Sequence, residues 1–346
     1  MRKLFRYSAV FLAAAIVAAA SCKKEGEDDL AYMSGSVEYN FPSIAVTGQI
    51  IESTVGGIVS PRDVTYFWTS PDLNLGESDT VYSKSVVIEV PDSVGEYTIS
   101  VVATRSGYYA SVLTKTMMAI DPDGNSVSGL AQGTGTFVDE RDGEEYRTRK
   151  YGSLEWFTDN LRYAGDSDAP CGVAYEKSDG IAYLFGRLYS WNEATGGVSA
   201  EGAGNGPQGI CPEGWSVPTA EDWEELSGEI GAAGPMDFYD DWSGLGSAAS
   251  AELTLNGEKM WPYSPENGHD NSSGWNAVPS GNSNNFHSTF ENMGTYGMWW
   301  SSTETPVSGE SRASYRYIYY NSGNFSNHYV DKDSYGVSVR CVRKVQ

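Results

Sequence analysis

Positive charge is what this sequence has least of. Its 346 residues carry 23 Lys plus Arg against 46 Asp plus Glu, a formal net charge of −23. Phosphate recognition and electrostatic attachment to anionic bilayers both need clustered cations. No such cluster appears, which excludes a nucleic-acid partner and a basic membrane patch. Histidine is nearly as scarce. His269, His287 and His328 are the only three, and none shares a short zinc-type spacing with another His or Cys. There is no G-x-S-x-G between a strand and a helix, and no phosphate loop. Adjacent acids such as Glu224–Glu225 and Asp240–Asp241 are what 46 acids produce without a glycosidase. The expectation is a protein that is not an enzyme. What is abundant is glycine (39) and tyrosine (23), with 13% aromatic residues. That composition suits a β-rich, loop-rich chain with much to bury, and the length suits two domains.

Long hydrophobic runs are also missing, with one exception at the start. Arg2, Lys3 and Arg6 precede an Ala-rich apolar stretch from Ser8 to Ala20, too short to span a bilayer, which takes about 20 helical residues. The stretch ends in "AAASC", which resembles the lipobox of bacterial lipoproteins. The resemblance implies a signal peptide over residues 1–21, removed to leave a diacylglyceryl thioether on Cys22. An ordinary secretory cleavage with Cys22 as a bystander is the alternative. Residues 22–30 form an acidic tether, "CKKEGEDDL", similar to the export tag of surface lipoproteins in Bacteroidetes-type bacteria. The expected location is the outer membrane, at the cell surface, with the lipid as the sole membrane attachment.

Residues 31–120 read as an all-β domain. "VTYFW" (64–68), "SVVIEV" (85–90), "EYTISVVAT" (96–104) and "ASVLTKTMMAI" (110–120) are β-branched or aromatic runs separated by turn residues. Tyr97, Ile99, Val101 and Ala103 alternate with Thr98, Ser100, Val102 and Thr104, the period of a half-buried strand. The spacing predicts a sandwich of two antiparallel sheets. "PDSVGEY" resembles the tyrosine corner of immunoglobulin-like domains, with Trp68 on a core strand. A spacer role follows. Residues 121–135, "DPDGNSVSGLAQGTG", are a linker by composition.

The second domain is expected over 136–346. It opens with a hairpin turning at Asp142-Gly143. One helix is predicted over 183–196, where Leu184, Leu188 and Trp191 fall at helical spacing. A second begins after Thr219, an N-cap with Asp222 three residues on, and buries Trp223, Leu226 and Ile230. About 60 residues of weak periodicity follow, from Gly231 to Thr295. Strands close the chain at 297–303, 314–321, 325–330 and 336–344, with "NSGN" (321–324) as a hairpin connection.

"DGEEYRTRKYGSLEWFTDNLRY", "YLFGRLYSWNEA", "GICPEGWSVPTAEDWEEL", "WWSST" and "YGVSVRCVRK" occur in that order. Together they resemble the motifs of the Fibrobacter succinogenes major paralogous domain family. The resemblance implies an α+β fold for the second domain, C-type-lectin-like, with two helices, a twisted antiparallel sheet and a long loop region, preceded by the all-β Ig-like sandwich. It also implies a disulfide between Cys211 and Cys341, leaving Cys171 as a free thiol or a rival partner.

A lectin-like head directs attention to rings and amides in the long loop and adjoining strands: Trp275, Asn276, Asn282, Asn285, Tyr296, Trp299 and Trp300. Of Trp299 and Trp300, at least one is expected in the core. The metal and sugar triplets of calcium-dependent lectins are absent, although Asp331 and Asp333 stand where the second would fall, leaving calcium as the one conceivable cofactor. The function expected is a surface adhesin for a glycan or a cell-surface protein. The alternative is a structural component of a pilus or lipoprotein complex that needs no small ligand.

Overall fold

The structure, a computed structural model, describes residues 30–345 apart from 74, 76–79, 123, 125 and 232–240. The signal peptide, Cys22 and the tether up to 29 lie outside the described residues, as do Asp123 and Asn125 of the expected linker. The chain divides into two compact units at Ile120–Asp121.

The first unit has strands β1 (Ser34–Tyr39), β2 (Ile44–Val46), β3 (Ile50–Ser60), β4 (Thr65–Thr69), β5 (Thr80–Val81), β6 (Ser85–Glu89), β7 (Gly95–Thr104) and β8 (Ser111–Ile120). They form a three-stranded sheet, β1-β3-β6, and a five-stranded sheet, β2-β8-β7-β4-β5. Alternation decides what each strand buries. Ile51, Ser53 and Val55 on β3 and Val86 and Ile88 on β6 point inward. They meet Tyr97, Ile99, Val101 and Ala103 of β7, with Trp68 and Met117 in the same core. The Tyr97 hydroxyl donates to the Ser93 carbonyl at 2.7 Å, four residues upstream, the bond a tyrosine corner makes. Trp68 is fully buried and its Nε1 donates to the Ser83 carbonyl at 3.1 Å.

The second unit corrects the expected fold class. Strands make up 43% of the structure and helices 10%, in several sheets, which fits an all-β architecture and not the α+β C-type-lectin-like domain. Glycine is one physical reason. The predicted helix over 183–196 is two short ones, Asp179–Phe185 and Trp191–Thr195, with the strand Tyr189–Ser190 between them. The first stops at Gly186, whose φ of 77° suits glycine and where a Cβ would come within 2.5 Å of Asn160 Cβ. The second helix forms as expected over Ala220–Ile230, because its start is encoded locally. The Thr219 side chain accepts from the Asp222 amide while the Asp222 carboxylate accepts from the Thr219 amide.

Three sheets hold the unit together. Gly135–Val138, Glu145–Tyr151, Leu154–Phe157 and Val342–Lys344 form one; Tyr189–Ser190, Gly336–Val337, Asn282–Asn284 and Thr289–Glu291 form another. The third pairs Tyr296–Val307 with Glu310–Tyr319 and that with Ser326–Val330, all antiparallel. Val127–Ser128, expected in a linker, instead pairs with Thr254–Leu255 inside this unit. The region after Gly231 is likewise built in. Trp242, Leu245, Trp261 and Trp275 join Trp156, Trp223, Trp299 and Phe325 in one buried cluster. Cys211 and Cys341 are disulfide-bonded, with Cα atoms 5.8 Å apart, and Cys171 is a free, partly exposed thiol. Burial raises its pKa, and Glu193 nearby raises it further.

Candidate functional site

Most of the rings singled out in the sequence are structural. Trp275, Trp299 and Trp300 are all fully buried, so none can stack on a ligand in the folded protein. In an extended run Trp299 and Trp300 point to opposite faces, and both faces are covered. Trp300 donates from Nε1 to the Tyr189 carbonyl at 2.7 Å, and Trp299 to Asn160 Oδ1 at 2.8 Å. Asn276 and Asn282 are buried too. Asn276 Oδ1 accepts from the Ala131 amide at 2.8 Å and its Nδ2 donates to the Ala131 carbonyl. Asn282 Oδ1 accepts from Asn292 Nδ2 at 2.6 Å.

Trp275, Asn276 and Trp299 surround Arg340, which is fully buried. Its guanidinium lies over the Trp275 ring at 3.9 Å and near that of Trp299 at 5.4 Å. It donates to Asn160 Oδ1 at 2.9 Å, to the Trp275 carbonyl, and to the Asn276 carbonyl at 2.6 Å. Burial among carbonyls, with no contacting carboxylate, holds its pKa down at about 9 despite the field of Asp159. Asn160 completes the network by donating from Nδ2 to the Phe185 carbonyl and to Ser338 Oγ.

Tyr296 leads to a different surface. In the third sheet it stands opposite Tyr319, Met298 opposite Tyr317, and Trp300 opposite Tyr315, while Tyr315 faces His328 on the last strand. Tyr315, Tyr317 and Tyr319 alternate along one strand and so share a face. Ring centroids are 4.6 Å apart for Tyr296–Tyr319, 6.0 Å for Tyr296–Tyr317 and 5.8 Å for Tyr315–Tyr335. Tyr315 is buried, whereas Tyr296, Tyr317, Tyr319 and Tyr335 are half-buried and His328 is exposed. Burial raises the pKa of Tyr296 and pushes Tyr335 up to about 12. A neutral phenol can both donate and accept hydrogen bonds. A row of partly exposed rings with polar rims can stack against a sugar or a peptide side chain and bond its polar groups.

Beside this ladder is a turn that sequence reasoning caught only through Asn285. Asn285, Phe286 and His287 have φ of 50°, 54° and 61° in succession, a left-handed run that costs about 1 kcal/mol or more per non-glycine residue. The run aims Phe286 into solvent, 72% exposed. His287 holds it: Nδ1 is hydrogen-bonded to Ser283 Oγ at 2.7 Å and Nε2 donates to Glu193 Oε2 at 2.8 Å. Burial alone would raise the Glu193 pKa, but His287 and the amides of Ser190 and Gly172 bring it down to about 2. The lack of a side chain at Gly336 makes room, since a Cβ there would stand 2.3 Å from Ser283 Oγ. The Ser–His–Glu row is not a nucleophile system, because Ser283 is fully buried. No short motif marks it; His287 was visible only as one of three histidines.

Asp331 and Asp333 reach the same turn through Ser334, whose carbonyl accepts from the Phe286 amide at 3.2 Å. They do not fit a calcium site. Asp331 Oδ1 accepts from Ser334 N, Ser334 Oγ and Asp333 N at 2.8–3.1 Å, bonds that lower its pKa, the Ser334 amide most. Asp333 Oδ1 accepts from Asn192 Nδ2. Among the described residues no group of three or more His, Cys, Asp or Glu is placed to hold a metal ion.

Over residues 150–343 the chain matches the family model of the Fibrobacter succinogenes major domain. The chain belongs to that family. No match among curated proteins is found. Several motif residues quoted above serve the interior: Asn160 and Arg340 in the buried network, Cys211 with Cys341, and Trp299 with Trp300 in the core. Of the tyrosine ladder, Tyr317 and Tyr319 lie between "WWSST" and "YGVSVRCVRK", Tyr296 precedes the first and Tyr335 opens the second.

Proposed function

We propose that this chain is a surface-anchored binding protein, an adhesin without catalytic chemistry, whose second unit holds a glycan or protein ligand against the tyrosine ladder. The observation that carries the reading is the half-buried row Tyr296, Tyr317, Tyr319 and Tyr335, flanked by the exposed His328. Rings kept partly in water are available to a ligand, and their packing against one another fixes them in advance, which lowers the entropy cost of binding. Anchoring is by lipid on Cys22, in the outer membrane at the cell surface, and the support is the leader and "AAASC". The first unit serves as the spacer.

The test is a glycan array probed with the chain from Cys22 onward, alongside Tyr317→Ala and Tyr319→Ala. Saturable binding by the native chain that both variants lose supports a glycan ligand. Binding that both retain refutes the ladder as its site. A role in assembly is the second reading, favoured by β1 and β6 lying at the two edges of the three-stranded sheet, where a strand from another chain can add. Silence on the array from a folded chain that self-associates shifts the weight there.

A further inference from the structure

Three segments of the first unit meet at one end of its sandwich. They are the start of the described chain (Leu30–Met33), the β3–β4 connection (residues 61–64) and the β7–β8 connection (residues 105–110). Ala31 donates to the Gly107 carbonyl at 3.0 Å and accepts from the Tyr109 amide at 2.9 Å. Arg105 pairs with Asp63 at 3.6 Å, tying the other two segments together. This end is aromatic and open to solvent. Tyr32 is 80% exposed and stacks on Tyr109, 47% exposed, with centroids 4.8 Å apart. Leu30 and Val59 are exposed beside them.

Two features set this patch apart. On the three-stranded sheet the exposed Ile50 and Val87 stand directly opposite acids, Glu89 and Glu52. Here the three segments carry only Arg62, Arg105 and Asp63, with Arg105 paired to Asp63, and the patch itself is aromatic and aliphatic. The second feature is position. Cys22 precedes Leu30 by eight residues, and a stretch of that length reaches at most about 28 Å when fully extended. A lipid on Cys22 therefore keeps this end within that distance of the bilayer.

We propose that the Leu30–Tyr32–Tyr109 end of the first unit is a membrane-contacting surface. Its tyrosines enter the phospholipid headgroup region, with Leu30 and Val59 beside them. Tyrosine suits that depth, with a ring for the apolar side and a hydroxyl for the wet side. The two acyl chains of a diacylglyceryl group are enough to anchor the chain; the patch sets how the unit meets the surface. The inference rests on the lipoprotein reading of Cys22.

The test joins the chain from Cys22 onward, carrying Cys171→Ser, to maleimide-lipid in phosphatidylcholine vesicles with and without phosphatidylglycerol. The same protein with Cys22 capped, mixed with the same vesicles, is the control. Hydroxyl-radical footprinting then compares Tyr32 and Tyr109 with Tyr82 and Tyr263, which are 75% and 89% exposed. The expected result is a severalfold loss of modification at Tyr32 and Tyr109 on anchoring, with or without the anionic lipid, and none at Tyr82 or Tyr263. Equal modification of all four in both samples overturns the proposal. So does protection that appears in the capped protein as its concentration rises, which would give the patch to a second copy. The mass of the Cys22 peptide from the native cell tests the lipoprotein reading separately, because the vesicle anchor is synthetic.

Discussion

Replacing Arg340 by methionine keeps most of the side-chain volume and removes the donors at the centre of the second unit. The Trp275 and Asn276 carbonyls, both accepting from the guanidinium, would then be buried without partners. Each orphaned acceptor costs about 1–3 kcal/mol. Asn160 Oδ1 retains the Trp299 donor at 2.8 Å and adds little. Relief from burying a charge offsets part of the loss, so the net expectation is about 3 kcal/mol. In a unit of this size that lowers Tm by roughly 6–12 °C. Intrinsic fluorescence isolates the effect, because Trp68 is the only one of ten tryptophans in the first unit. Arg340→Lys should also destabilise, since an ammonium lacks the fork that reaches all three acceptors at once. A Tm for Arg340→Met within a degree of the native value would refute the claim that this network organises the unit.

Three other expectations follow from the same structure. Reducing or replacing the Cys211–Cys341 bridge, which spans 130 residues, should cost about 4–5 kcal/mol on the chain-entropy argument, seen as a lower urea midpoint. Gly336→Ala should cost about 1–3 kcal/mol by crowding and disturb the His287–Glu193 bond, read as a change in the His287 ring resonances; an unshifted spectrum would contradict the close packing. His269 is buried against Trp261, neither ring nitrogen has a hydrogen-bond partner, and burial brings its pKa down from 6.5 to about 4. The unfolded chain then binds the extra proton between those values, so stability falls as pH drops from 6.5 towards 4. His269→Phe should flatten that stretch of the stability–pH curve, and an unchanged slope would sink the argument.

What the sequence made legible was local. The Ala220–Ile230 helix was readable because Thr219 and Asp222 satisfy each other's amides within four residues. The strands β4, β6, β7 and β8 announced themselves as β-branched or aromatic runs between turn residues, and β7 by alternation as well. The fold class was missed because it depends on which strands pair, and those pairings are distant: Trp156 with Val342, Ser283 with Gly336, Val127 with Leu255. The tryptophans were misjudged for a related reason. "WWSST" shows that rings are present, but whether they face solvent depends on Trp223, Phe325 and Tyr189 packing over them from other segments. Tyr315, Tyr317 and Tyr319 sit at the period of a strand face. Nothing in that period tells which end of the row is left uncovered, and only Tyr296 on the neighbouring strand drew attention to it.

The most direct measurement on the binding account is a titration of the first array-selected ligand into the native chain and into Tyr317→Ser/Tyr319→Ser, with folding checked by tryptophan fluorescence. Stacking is worth on the order of 1 kcal/mol per ring beyond buried area, so losing two rings should raise Kd by about 30-fold. The account predicts that loss with an unchanged fluorescence spectrum. An unchanged Kd in the folded variant would contradict it.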